Sequence, residues 1–123
     1  MTYILKVSDF HPKPFGRLPI HDPEANGELF RNTRLLPALE AHDHVTIDFS
    51  GISVVGASFI DEAIAGLIYH DGFSEADLKR RIAIEIPGDD AKVLTAWRYV
   101  AEAERKVRQA NAAHAAGVAL HHA

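Results

Sequence analysis

The chain has no cysteine. That absence excludes thiol catalysis, cysteine metal ligation and disulfide stapling, and it fits a reducing cytosol. No run of about 18 apolar residues occurs, so no membrane span is expected. The opening residues Met1-Thr2-Tyr3-Ile4-Leu5-Lys6 lack the long apolar run of a secretory leader, and a cytoplasmic location is expected. Basic charge is also scarce. With 13 Lys and Arg against 17 Asp and Glu, the net charge is -4, which gives no general attraction to nucleic acid or anionic lipid. The 8 histidines soften that charge only in mildly acidic conditions. Gly51-Ile52-Ser53-Val54-Val55-Gly56 has glycines but neither the lysine nor the spacing of a phosphate-binding loop, and no nucleophile elbow is present. No catalytic residue, cofactor or metal is expected.

What is present is an ordinary globular composition, 47% apolar and 24% charged over 123 residues. A single domain over residues 1–123 is expected, able to bury roughly two-thirds of its unfolded surface without metal or disulfide. Tyr3 to Val7 reads as a first strand, and Arg17 to Ile20 as a short edge strand beside it. A helix is expected from Asn26 or Gly27 to about His42. It would bury Leu29, Phe30, Thr33, Leu36 and Leu39 and leave Glu28, Arg31, Arg34 and Glu40 on other faces. Pro37 predicts a kink or break just before it. Val45 to Phe49 is a buried strand, followed by a turn at Ser50-Gly51. A helix from Ser58 to about His70 buries Phe59, Ile60, Ala63, Ile64, Leu67 and Ile68, and Gly72 stops it in a left-handed cap.

Ser74 and Asp77 form a capping box for a short helix, and Ile82 to Ile86 is a strand ended by Pro87-Gly88. Asp89 or Asp90 then caps a long C-terminal helix from about residue 90, striped by Val93, Leu94, Trp97, Val100, Ala101 and Val107. Strands each followed by a helix predict an α/β fold, a small sheet with helices packed on it. The order of the strands does not follow from this pattern. The Ala-rich continuation after Gln109 raises the expectation of a homodimer through the C-terminal helix.

Ser58 opens the central helix and supports two readings. Its hydroxyl caps the helix, with Asp61 reaching back as the partner of a capping box. Alternatively it is a phosphorylation site, where phosphate meets free amides and a favourable dipole while Asp61 and Glu62 oppose the added charge. As a cap, Ser58→Ala would cost about 1 kcal/mol. The preceding loop is unusually apolar at Val54 and Val55 and is expected to be packed. Glu62 reads as solvated or partner-facing, because adjacent carboxylates on a helix diverge and do not form a glycosidase pair. Asp48 either lines a polar pocket at the sheet edge or ties down the Gly51 turn, and the second is favoured. His42-Asp43-His44 lacks a third and fourth metal ligand, and His121-His122 reads as an adventitious chelator. Lys79-Arg80-Arg81 reads as a solvated face.

The stretch Val45-Thr46-Ile47-Asp48-Phe49-Ser50-Gly51-Ile52, followed by Ser58-Phe59-Ile60-Asp61-Glu62-Ala63, resembles the bacterial STAS-like family of uncharacterised domains. In that family a strand and glycine turn lead into a Ser-Phe-x-Asp-Glu helix start. Gly27-Glu28-Leu29-Phe30-Arg31 and Gly72-Phe73 fit the same layout, and the resemblance covers roughly residues 16 to 90. The wider STAS group includes the anti-anti-sigma factors, small α/β proteins that bind a histidine-kinase-like ATPase acting as an anti-sigma factor. That partner phosphorylates a serine at the start of the helix after the central strand, which breaks the complex. Ser58 is similar in place to that serine. The setting departs from the anti-anti-sigma pattern of an aspartate, two small polar residues and a glycine. Gly56-Ala57-Ser58-Phe59 has no aspartate, and an aromatic follows the serine.

Two function classes follow. One is a non-enzymatic STAS-like regulatory interaction domain presenting Ser53, Val54, Val55, Gly56, Ser58 and Glu62, for which the resemblance implies a histidine-kinase-like ATPase as partner. The other is a small-molecule-binding or catalytic α/β domain using Asp48, Arg17 and one or two histidines at the carboxyl edge of the sheet. A deep pocket with convergent polar groups would favour the second. A filled edge with an exposed apolar patch around Val55 would favour the first.

Overall fold

Apolar, largely β-branched residues at alternate positions build three parallel strands in the order β1-β2-β3. They are β1 (Thr2–Lys6), β2 (His44–Asp48) and β3 (Ile82–Glu85). The computed structural model describes residues 2–122, with side chains described over 2–116. The His121-His122 side chains lie outside that range. The register places Leu5, Ile47 and Ile84 in one row, and Ile4, Thr46 and Ala83 in the next. The first row is buried; in the second, Ile4 and Ala83 are exposed. Both crossovers step the same way across the sheet, so with the usual hand their helices lie on one face. The alternation in burial agrees, and leaves the other face bare among the described residues.

The helix between β1 and β2, α2, follows a single turn α1 (Val7–Phe10). It spans residues 27–41 as Gly27–Phe30, a π turn Arg31–Leu35, and Leu36–Ala41. Asn26 caps it, its side chain accepting from the Leu29 amide at 2.8 Å. The interruption expected from Pro37 takes the form of the π turn just before it, and the helix does not break. The next helix, α3, spans residues 57–71 and also carries a π turn, Asp61–Ala65, before ending at Gly72 with φ 78°. There α4 (Glu75–Arg81) begins with the expected capping box of Ser74 and Asp77. The last helix, α5 (Asp90–His122), is started by Asp89, whose carboxylate accepts from the Lys92 amide at 3.1 Å.

Phe10, Phe30, Phe49 and Phe59 form an aromatic cluster between sheet and helices, with Phe30 and Phe59 5.4 Å apart and Phe49 edge-on to Phe59 at 6.4 Å. Helix α5 packs on α3 through buried Ala96, Val100 and Ala103. Val93, Trp97 and Val107 flank that stripe as expected, whereas Leu94 and Ala101 face solvent. Small alanines carry little weight in a hydrophobic pattern, yet they let two helices approach closely. The expected edge strand at Arg17 to Ile20 is absent. The Gly16 and Arg17 carbonyls instead accept from the Gly27 and Glu28 amides at 2.9 and 3.2 Å, satisfying donors that the first turn of α2 leaves open.

Helices α2 and α3 cross at glycines. A Cβ on Gly27 would lie 2.7 Å from the Phe59 carbonyl oxygen, and one on Gly66 would overlap the Arg31 guanidinium. Arg31 is itself buried, although the hydrophobic pattern set it off the apolar face: it lies four residues from both Gly27 and Leu35, which are buried too. Gly66→Ala is expected to cost about 3 kcal/mol, since the added methyl displaces a buried guanidinium from its carboxylate. Urea denaturation measures this.

Candidate functional site

The amino ends of α2 and α3 meet at the carboxyl edge of the sheet, and the segment 11–26 straps both. The Gly56 amide donates to the Pro14 carbonyl at 3.0 Å, and the Phe15 amide to the Ala25 carbonyl at 3.2 Å. Gly56 lies directly beneath the Phe15 backbone, with no room for a side chain. Arg17 completes the strap by donating to Asp61 on α3 at 2.9 Å, and stands 4.0 Å from Glu62.

The strap leaves large apolar side chains in water. Ile20 is 86% exposed, Phe15 61% and Val54 53%. Phe15 and Val54 share an open depression of about 520 Å³ with Ser53, Lys13 and His11. Phe15 also lines a second depression, of about 290 Å³, with Ser58, Arg17 and His21. Phe15 and Val54 thus form an exposed apolar patch at this edge.

The expected site residues divide. Ser53, Val54 and Ser58 lie on this surface. Val55, Gly56 and Glu62 do not: all three are buried, Val55 within the hydrophobic core. The exposed patch therefore centres on Val54 and Phe15 instead of Val55. Ser58 is not the helix cap. Gly56 occupies the cap position, and no side chain caps α3. Asp61 is not a capping partner either, because its carboxylate is held by Arg17. The physical reason is the strap: it fixes Gly56 in an extended conformation (φ -75°, ψ 134°) and starts the helix at Ala57.

Behind the surface lies a charge cluster. Glu62 accepts from Arg31 at 2.6 Å, and the same Arg31 nitrogen donates to the Glu62 backbone carbonyl. That carbonyl is not taken by the Gly66 amide, which in this π turn donates to Asp61. Arg31 Nε lies 3.2 Å from Asp71, an ion-pair distance without hydrogen-bond alignment, and His70 Nε2 lies 3.5 Å from Glu62. Hydrophobic periodicity misses this cluster because it places Arg31 and Glu62 with the polar residues. Gly66, a glycine inside an unbroken helix, is the signal in the sequence that something approaches closely there.

The other candidates have structural partners. Asp48 accepts from the Ser50 amide at 2.9 Å and the Ser50 hydroxyl at 2.6 Å, tying down the turn that reaches Gly51 at φ 78°. The Ser50 hydroxyl, then the Ser50 amide, hold its carboxyl below the ordinary carboxylate value, with Lys6 adding to them. The depression lined by Arg17 does not include Asp48, so the polar set of the small-molecule reading is not assembled there. Arg81 closes the carboxyl end of α2, donating to the Leu39, His42 and Asp43 carbonyls at 2.5, 3.0 and 3.1 Å. Lys79 and Arg80 pair with Glu75 and Asp77. His42 stacks on Tyr3 at 4.4 Å, and among the described residues no group of three or more metal-ligating side chains occurs. No helix among them is long and apolar enough to cross a membrane.

The strands, crossovers and strapped helix ends define a small parallel α/β domain. Residues 26–88, just over half of the chain, match the family described as a STAS-like domain of unknown function (DUF4325), and the chain belongs to that family. The matched span runs from the cap of α2 to the turn after β3, so β1 and α5 lie outside it. No curated protein and no solved structure matches the chain.

Ser58→Ala is expected to change stability by less than about 0.5 kcal/mol, the range of surface substitutions, and thermal denaturation checks it. For Asp48 the sign follows from linkage. A carboxyl lowered by folding adds stability above its unfolded value, about 3.9, and loses it as pH falls through the folded value. Asp48→Asn should therefore be less stable than the parent near pH 7, with the difference shrinking below about pH 4. Urea denaturation at both pH values measures it.

Proposed function

We propose that the chain is a non-enzymatic regulatory interaction domain whose partner docks on the face formed by Phe15, Ile20 and Val54 around Ser58. The observation that carries this reading is the apolar exposure at the carboxyl edge of the sheet. This is the edge at which open α/β sheets receive their ligands, and here it is filled by the strap. Family membership and the exposed Ser58 support a histidine-kinase-like ATPase as the partner, with Ser58 as the group it modifies.

A phosphate on Ser58 would stand at an amino end of α3 that no side chain caps, in a depression shared with Arg17 and His21. Asp61 holds Arg17 there. The phosphate would compete for that guanidinium and oppose the Asp61 carboxylate, loosening the strap on which Phe15 is mounted. Modification would thus alter the docking face without requiring the core to change.

The test uses the purified chain with histidine-kinase-like ATPases of its host, with and without ATP. Calorimetry is expected to show binding that Phe15→Asp and Val54→Asp each weaken by about tenfold or more, or about 1.4 kcal/mol. Intact-mass measurement is expected to show one phosphate that Ser58→Ala abolishes. Binding unchanged in both aspartate variants would move the interface off this face. Binding without phosphorylation would keep the face and remove the switch.

A further inference from the structure

Strand β1 ends the sheet, and its outer side is unpaired among the described residues. Such an edge turns alternate amide and carbonyl groups outward. The features that usually blunt it are scarce here. Thr2–Lys6 contains no proline, its pairing with β2 runs without a bulge, and Lys6 is its single charge. Ile4 stands 57% exposed on the bare face. Tyr3 is 40% exposed although it lies in the row whose β2 and β3 members, Val45 and Ile82, are buried. The helix layer covers Leu5 on this strand but leaves Tyr3 partly open.

We propose that the β1 edge is a self-association surface, on which a second copy of the chain pairs its own β1 antiparallel across a two-fold axis at Ile4. This goes beyond the docking face at Phe15 and Val54 and does not depend on it. The edge selects its own copy for a geometric reason. A two-fold axis normal to the sheet makes β1 its own antiparallel complement, as an isologous contact requires. Centring on Ile4 is the register that pairs the whole 5-residue strand: Ile4 with Ile4, Tyr3 with Leu5, Thr2 with Lys6. Charge agrees with it, because each Lys6 faces a threonine and not its twin. The two exposed Ile4 side chains then cover one another on the bare face.

The rival self-association surface is α5 beyond Val107. Its described residues 108–116 are exposed but small or polar, with no apolar bulk to hold a second helix. Pairing one short strand per copy buries well under the roughly 1,200 Å² of stable complexes, so the dimer is expected to be concentration-dependent.

The chain's lack of cysteine supplies a clean test. Facing Cβ atoms on antiparallel strands lie about 4.5–5.5 Å apart, close enough for a modestly adjusted disulfide. Under mild oxidation, Ile4→Cys should form a covalent dimer at least about tenfold faster than Leu94→Cys, a control on a side chain that is more exposed still. Sedimentation of the unmodified chain should shift with concentration from 13.5 kDa toward twice that mass. Ile4→Lys, which sets like charges together on the axis, should weaken the dimer about tenfold or more while the circular dichroism is unchanged. Equal crosslinking rates at positions 4 and 94, or a monomer at every soluble concentration, would overturn the proposal. So would a dimer that Ile4→Lys leaves intact, which would place the interface elsewhere, with α5 the next surface to test.

Discussion

Arg31 and Glu62 meet in the layer of helices above the sheet, and the arrangement of α2 against α3 follows from how they meet. Each sits within a π turn. Each helix also has a glycine where the other approaches, Gly27 on α2 and Gly66 on α3. On α2 the guanidinium stands on the buried face, four residues from both Gly27 and Leu35. The π turn of α3 leaves the Glu62 carbonyl free of the Gly66 amide and open to that guanidinium. Desolvating two charges costs several kcal/mol each, about what their attraction returns in a dry interior. The pair therefore adds little net stability. Its contribution is positional: two widened turns, two glycines and one ion pair fit together in a single register.

That register determines what the surface can do. Asp61 precedes Glu62, so fixing the π turn of α3 also fixes the carboxylate that holds Arg17 and the strap. The strap in turn closes over Gly56 and raises Phe15 into solvent beside Val54, with Ile20 exposed further along it. A chain of contacts thus runs from the buried pair, through Asp61 and Arg17, to the exposed face around Ser58. Its non-covalent links are the Arg31–Glu62 and Arg17–Asp61 pairs, and chain adjacency supplies the rest. The ion pair that ties the strap to α3, Arg17 with Asp61, is itself partly exposed.

Much of this architecture is legible in the sequence. Val45 to Phe49 reads as a strand because β-branched and apolar residues run up to a Ser-Gly turn, and the structure differs by one residue at each end. Gly72 and the pair Ser74 and Asp77 act as predicted because caps are local: the residues that make them lie within one turn of one another. The serine at position 58 misleads for the same reason. Local pattern makes it a cap, but a carbonyl from Pro14, distant in sequence, fixes Gly56 and moves the helix start ahead of it. Arg17 to Ile20 misleads likewise, since the Arg17 carbonyl is taken by the first turn of α2 and the Leu18 carbonyl by the His21 and Asp22 amides.

By itself the sequence determined most element types, the helix stop at Gly72 and the Ser74–Asp77 cap, because those depend on φ preferences, side-chain branching and hydrogen bonds a few residues long. It singled out Ser53, Val54 and Ser58 in one loop and helix start, but expected the Val54-Val55 loop to be packed, whereas Val54 is exposed. Only the tertiary structure decided that Val55 and Glu62 turn inward, that Arg31 is buried, and that Phe15 joins Val54. Those outcomes depend on partners 31 to 44 residues away, as in Arg31 with Glu62 and Arg17 with Asp61. A charged residue's place is set by the partner that offsets its desolvation, and no periodicity in a single helix carries the address of that partner.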